Sequence, residues 1–335
     1  MQRRFVVPVT LVLSLLAALL VSSAPANATT NHLRRVFVIM MENNGFDDVI
    51  GHDNAQGQPD TPYITYLATH YGLSTYYFGV THPSLPNYLA FISGDTFGIQ
   101  DDNPSCYAQP PQSPCDVAKG ANIVDRLEQA HLTWEVFEQT MPHPGYLGPQ
   151  FPTNPNGPVL YAQKHNPFVY FKDIAQNPAR RARIVGLSNT FAELRSALSS
   201  STLAPNFNFI VPDQCHDMHG TSTCSNYDSL LMAGDQYVKA LVNVITHSAA
   251  YTPDSAIVIT WDENDYSSNL GCCLSPPIGG GHVAAIVITP RYRMPMESAL
   301  PSNHYTTLRS ILGAFNLPAL GKSAYLQPNL FDLLP

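Results

Sequence analysis

The 335-residue chain carries 17 lysines and arginines against 25 aspartates and glutamates, a formal net charge of −8. A protein that binds duplex nucleic acid presents a basic face. Here the densest basic cluster is Arg180-Arg181-Ala182-Arg183, so no nucleic-acid partner is expected.

In chain order, Arg3 and Arg4 precede an apolar run from Phe5 to Val21, and Ala26-Asn27-Ala28 supplies a small-x-small cleavage site. Residues 1–28 read as a secretory signal peptide, residues 29–335 as a single domain, and the protein as secreted. The apolar run is short for a membrane span, so no transmembrane anchor is expected after cleavage. Six cysteines in an exported chain are expected to be oxidised. Cys106 and Cys115 flank a proline-rich loop and are natural partners. Cys215, Cys224 and the adjacent Cys272-Cys273 are expected to tie the 215–224 loop to the 272–273 loop. No CxxC pair is present, which disfavours a structural zinc site.

Short apolar, β-branched runs at 36–41, 206–211, 255–260 and 284–289, with a fifth candidate at 183–187, predict strands buried on both faces of a mainly parallel sheet. Helical patterns are predicted at 61–71, 86–93, 122–130, 188–199, 227–248 and 304–315. Segments 95–121 and 142–168, rich in Pro, Gly and Asn, read as long loops. This alternation predicts an α/β fold with helices on both sides of the sheet. The first strand runs into Glu42-Asn43-Asn44, the second into Asp213 to Gly220, the third into Asp262-Glu263-Asn264-Asp265, and His282 precedes the fourth. Sites in open α/β sheets form beyond the carboxyl ends of the strands, so these residues are expected to converge.

Glu42, Asn43, Asp262 and Glu263 are oxygen donors whose convergence calls for a hard divalent cation such as Ca²⁺ or Mg²⁺. Ser84, in Thr81-His82-Pro83-Ser84-Leu85-Pro86-Asn87, falls near a helix N-terminus. Local chemistry reads it as a cap, and a neighbouring metal would let it act as a nucleophile toward a phosphate held by the helix amides. His82, His165, His216, His219, His282 and His304 all lie in polar, loop-like contexts. His219 and His282 stand out as candidate general acids or phosphate ligands. Lys164-His165-Asn166-Pro167 is a further cationic cluster suited to an anion.

Six short motifs in order resemble the bacterial phosphoesterase family: Met41-Glu42-Asn43, Ser84-x-Pro86-Asn87-Tyr88, Tyr161-x-x-Lys164-His165-Asn166-Pro167-Phe168, Asp217-x-His219-Gly220, Trp261-Asp262-Glu263 and His304-Tyr305-x-x-Leu308-Arg309. That family includes secreted acid phosphatases and phospholipase C-type enzymes, and the resemblance is greatest to the actinobacterial secreted acid phosphatases. It implies an alkaline-phosphatase-like three-layer sandwich about a central, mostly parallel sheet. It also implies hydrolysis of phosphomonoesters, phosphoinositides among them, through a phosphoserine intermediate. Carried over position by position, Ser84 is the nucleophile, with Thr81 as its rival. Glu42, Asn43, Asp262 and Glu263 are metal ligands. His219 and Asp217 lie at the phosphate with Asn87 as donor, and His282, Lys164 and His165 are further phosphate or substrate contacts. The two-zinc ligand set of the wider superfamily is not evident, which implies one ion, Ca²⁺ or Mg²⁺ ahead of Zn²⁺. Two other readings stand beside this one. One is a phospholipase C-type phosphodiesterase acting on a phospholipid head group; the other is a non-enzymatic, cation-stabilised binding module.

Overall fold

The computed structural model describes residues 32–53, 57–103, 120–154, 156–291, 294–328 and 330–333. The signal-peptide reading and the Cys106–Cys115 pairing lie outside them. In chain order the elements are β1 (Arg35–Met41), α1 (Phe46–Val49), α2 (Pro62–His70), β2 (Gly72–Phe78), α3 (Ser84–Ser93), α4 (Ile123–Gln129), β3 (Trp134–Gln139), β4 (Gln150–Phe151), β5 (Tyr161–Ala162), α5 (Lys172–Ala175), α6 (Pro178–Arg181), β6 (Ile184–Leu187), α7 (Ala192–Ala197), β7 (Phe207–Val211), α8 (Tyr227–Thr246), β8 (Ser255–Trp261), β9 (His282–Ile288), β10 (Met296–Ser298), β11 (Ser302–Asn303) and α9 (His304–Ala314).

Nine of these strands form one sheet in the order β10-β2-β9-β8-β1-β7-β3-β6, with β11 added onto β2; β4 and β5 form a separate antiparallel pair. Every residue of β1, β7 and β8 is buried. Their runs of Val, Ile and Phe suit strands covered on both faces. Helices flank the sheet, with α3 against α9 and α2 against α8. No helix among the described residues is long and apolar enough to cross a membrane.

The sheet is parallel except for β9, which runs antiparallel to both β8 and β2. Its first residue, His282, pairs with Phe78, the last residue of β2. The reversal brings the start of β9 to the edge where β1, β2, β7 and β8 end.

The predicted strands and helices are present within a few residues, but β2 and β3 do not show in the hydrophobic pattern. Gly72-Leu-Ser-Thr-Tyr-Tyr-Phe78 is interrupted by polar residues and a register shift between Ser74 and Tyr77. β3 carries Glu135 and Glu138, and Glu138 is buried within the sheet. The helix predicted at 188–199 shortens to Ala192–Ala197. The Glu193 carboxylate accepts from the Ser188 amide (2.9 Å) and hydroxyl (2.7 Å), holding 188–190 in a turn.

The disulfides correct the expected pairing: Cys215 bonds Cys224, with Cα atoms 5.6 Å apart, and Cys272 bonds Cys273. Thr221 and Cys224 exchange backbone hydrogen bonds in a tight turn that returns Cys224 to Cys215. The 272–273 segment is fastened instead by Asn303, at the end of β11. In the sheet, β1, β8 and β9 stand between β7 and β2, at about 4.8 Å per strand, so the two cysteine loops sit far apart.

Candidate active site

Glu42 follows β1 directly. Its amide donates to Asp217 O (2.8 Å), and the Asp262 amide donates to Met41 O (3.0 Å), so the ends of β1, β7 and β8 are stitched together. Asn43 turns the chain at φ +39°, and its amide donates to Asp262 Oδ1 (3.2 Å). Glu42, Asp262 and Glu263 are all fully buried.

Ser84 enters this pocket as the first residue of α3. The cap position belongs to Pro83, and Ser84 makes no capping hydrogen bond. Its hydroxyl lies 3.1 Å from Glu42 Oε2 and 3.3 Å from Glu263 Oε1, and accepts from Lys164 Nζ at 3.3 Å. The helix amide of Leu85 instead donates to Asp102 Oδ1 (2.9 Å), whose other oxygen accepts from Lys164 Nζ (3.1 Å). The cap reading of Ser84 therefore gives way, and its buried hydroxyl is held by acids and a lysine.

Lys164 and His165 reach the pocket on a short 3₁₀ turn after β5. His165 stacks on Tyr88 (centroids 5.4 Å apart), with Nε2 3.2 Å from Glu42 Oε1 and Nδ1 3.5 Å from Asp217 Oδ2. Asp217 also accepts from the His219 amide (2.7 Å). His219 Nδ1 lies 2.9 Å from Gly220 O; a carbonyl only accepts, so Nδ1 carries the proton and the Nε2 lone pair faces Lys164 Nζ, 3.4 Å away. Glu42, His165 and His219 each offer a ligand atom within 4.8 Å of the others.

The electrostatics are those of crowded, buried acids. Burial pushes the Glu42 carboxyl up to about 8 despite the pull of Lys164. Burial and then Glu42 raise Asp217 and Asp262 well above the carboxylate range. Burial raises Glu263 too, opposed by its bond from His82. Lys164 is raised: burial would lower it, but Glu42 and Asp102 outweigh that. Burial, and then Lys164, lowers both His165 and His219.

The residues fit a cation. Glu42 Oε1, Asn43 Oδ1, Asp217 Oδ2 and Asp262 Oδ2 are buried and make no hydrogen bond. Clustered orphaned oxygens of this kind are costly alone and are the donors a hard divalent ion uses. The imidazoles of His165 and His219 beside Glu42 extend the set toward borderline metals.

Two expected contacts are placed otherwise. Asn87 Oδ1 accepts from the amides of Val80 (2.8 Å) and Thr81 (3.1 Å), while Nδ2 donates to Thr81 O (2.6 Å) and Pro83 O (3.1 Å). Both its amide hydrogens are used, so Asn87 clamps the turn that presents Ser84. His282 is at the right edge but turns away, stacked on Phe46 at 4.6 Å with Nε2 3.1 Å from Thr75 O. Conversely, Asp102 and His82 belong to the site without having been singled out. His82 Nδ1 lies 2.5 Å from Glu263 Oε2, and His304 Nε2 lies 2.6 Å from Asp262 O behind it. His82 had a signal, its place two residues before Ser84; Asp102, inside a loop-like segment, had none.

Known proteins resemble this chain over most of its length. A phosphate-repressible acid phosphatase of Penicillium chrysogenum is 27% identical over 284 residues, covering 85% of this chain and 59% of its own length. A phosphatidylinositol-3-phosphatase of Mycobacterium tuberculosis is 26% identical over 295 residues, covering 88% and 80%. The chain thus spans only about three fifths of the fungal relative. The fold matches that of a protein in the alkaline phosphatase superfamily from Vibrio parahaemolyticus, with a TM-score of 0.55 at 11% identity over 85% of this chain and 66% of that one. The model of the Phosphoesterase family matches residues 55–318, a span that includes Ser84, Lys164, His219 and Asp262, and the chain belongs to that family.

Proposed function

We propose that this protein is a secreted, metal-dependent acid phosphatase that cleaves phosphomonoesters by way of a phosphoserine at Ser84. The observation that carries the reading is the Ser84 hydroxyl, fully buried between Glu42, Glu263 and Lys164 at 3.1–3.3 Å instead of capping its helix. Glu42, Asn43, Asp217 and Asp262, whose buried oxygens lack a partner, would hold a divalent ion, with Glu263 beside it bonded to Ser84 and His82. The ion would supply Lewis acidity that lowers the hydroxyl pKa and offsets the phosphate charge, and Ca²⁺ and Mg²⁺ suit the oxygens best.

Ser84 Oγ attacks phosphorus, its proton passing to a neighbouring carboxylate, and the bond from phosphorus to the ester oxygen breaks. Lys164 holds its charge against the non-bridging oxygens, and Asp102 fixes the ammonium in place. His219 presents Nε2 to the same space, and its lowered pKa leaves it protonated, and able to donate to the departing alkoxide, only on the acid side. Water then releases phosphate from Ser84 with His219 acting as base. Asn87 keeps the Ser84 turn in register, and Asp217 orients His219.

The test is phosphate release from p-nitrophenyl phosphate by the wild type and S84A. A loss of about a thousandfold or more is expected, with phosphoserine trapped in acid-quenched wild type. Full hydrolysis by S84A overturns the nucleophile. Turnover of bis-p-nitrophenyl phosphate without turnover of the monoester makes the enzyme a phosphodiesterase, and no turnover of either favours a binding module.

A further inference from the structure

Beside the pocket, the connection from β8 to β9 carries a feature the phosphatase reading leaves unused. Four large apolar side chains lie exposed within thirteen positions: Tyr266 (56%), Leu270 (61%), Leu274 (48%) and Ile278 (59%). Residues 266–281, Tyr-Ser-Ser-Asn-Leu-Gly-Cys-Cys-Leu-Ser-Pro-Pro-Ile-Gly-Gly-Gly, contain no charged residue and no histidine. The loop is also braced. Gly279 N donates to Asn269 O (3.0 Å) and Gly281 N to Leu270 O (2.9 Å), Cys272 bonds Cys273, and Asn303 Nδ2 donates to the carbonyls of both cysteines. Its apolar side chains are presented on an ordered frame.

We propose that the 266–278 loop is an interfacial anchor that seats the protein on a phospholipid bilayer, so that Ser84 works on a phosphate monoester carried by a membrane lipid. The absence of charge is what a segment entering the bilayer boundary needs, since charged side chains are the costly ones there. Leucine and isoleucine supply apolar area, and tyrosine favours the boundary itself. Lys322 flanks the loop, its ammonium 3.3 Å from Leu274 O, and provides a cation for anionic head groups. The loop is continuous with the reacting centre: Tyr266 stacks on His82 at 4.2 Å, His82 bonds Glu263, and Glu263 lies 3.3 Å from the Ser84 hydroxyl. A head-group phosphate at Ser84 would therefore lie only two side chains, Glu263 and His82, from Tyr266, the loop's first apolar residue. The substrate half of the proposal rests on the phosphatase reading; the docking half does not.

The experiment compares S84A with S84A carrying L270S and I278S, sedimented with phosphatidylcholine vesicles containing phosphatidic acid. Binding by S84A is expected, weakened about tenfold or more by the two serines, because each removes aliphatic area from the bilayer boundary. In the active background, L270S/I278S should keep its melting temperature and its turnover of p-nitrophenyl phosphate while KM for vesicle-borne phosphatidic acid rises. Equal sedimentation of the two proteins, or none by either, overturns the anchor. A dimer in size-exclusion chromatography that the serines dissolve assigns the loop to a second copy of this chain and overturns it too. Loop-dependent vesicle binding by a protein with no turnover of any phosphomonoester leaves the anchor standing and removes the phosphatase reading alone.

Discussion

At the scale of single residues, the pocket is an imbalance of charge held by geometry. Lys164 faces Glu42 and Asp102, and three further acids lie close behind. Replacing Lys164 with methionine keeps the stem and removes the charge; kcat/KM for p-nitrophenyl phosphate should fall about 100-fold or more. D102N, which weakens the hold on that ammonium, should cost less, about tenfold, appearing mainly in KM. Glu138 gives a separate prediction away from the site. Burial raises its carboxyl well above the ordinary 4.5, so the folded chain keeps a proton that the unfolded chain releases. Stability contributed by this group therefore falls as pH rises past 4.5, until the folded value is reached. Chemical denaturation of E138Q across that range should show the slope removed, with a gain near neutrality of about 1.4 kcal/mol for each unit of the shift. Glu42, Ser84, Asp262 and Glu263 were legible in the sequence because each lies next to a strand end or helix start that hydrophobic pattern locates. Asp102 was not. Its role depends on a loop folding back to Leu85 and Lys164, 17 and 62 positions away, and no local pattern encodes that.

At the scale of elements, α3 decides whether Ser84 is presented at all. All ten of its residues are buried, and Asn87 ties its first turn to residues 80–83 by four hydrogen bonds. N87A should destabilise the fold by about 2 kcal/mol or more, since buried amides and carbonyls lose their partners. Activity should fall with it although the side chain never meets substrate, and N87D should rescue less than half of the loss because it cannot donate. The far end of α3 stops at Gly94, φ +77°, where a Cβ would run into the Leu320 carbonyl. G94A should lower the melting temperature by several degrees, about 2 kcal/mol, for the left-handed backbone and the clash together. The central strands were readable for the reason they are central: burial on both faces demands unbroken apolar runs. β2 and β3 escaped because one carries a bulge and the other a buried acid, and each breaks the periodicity that pattern reading depends on. His282 was placed at the correct edge, but whether a strand's first side chain faces the pocket or the flanking Phe46 is a matter of packing.

At the scale of the whole molecule, the sheet edge gathers buried oxygens from the ends of β1, β7 and β8, and their mutual repulsion opposes folding unless a cation offsets it. Removal of divalent ions with a chelator should therefore lower the melting temperature by several degrees as well as abolish turnover, and the ion that restores both identifies the metal. Unchanged stability with turnover lost would place the ion at the substrate rather than among these carboxylates. The antiparallel course of β9 has a wider consequence. A crossover between parallel strands must carry the chain back to the opposite edge of the sheet, so its length and path are bound up with the layer of helices. The connection from β8 to β9 leaves and re-enters at the reacting edge itself, spanning 262–281. Its first two residues, Asp262 and Glu263, belong to the pocket, so the part free to change in length or sequence is 266–281, which can vary at the rim while Glu42, Asp217, Asp262 and Glu263 stay in place.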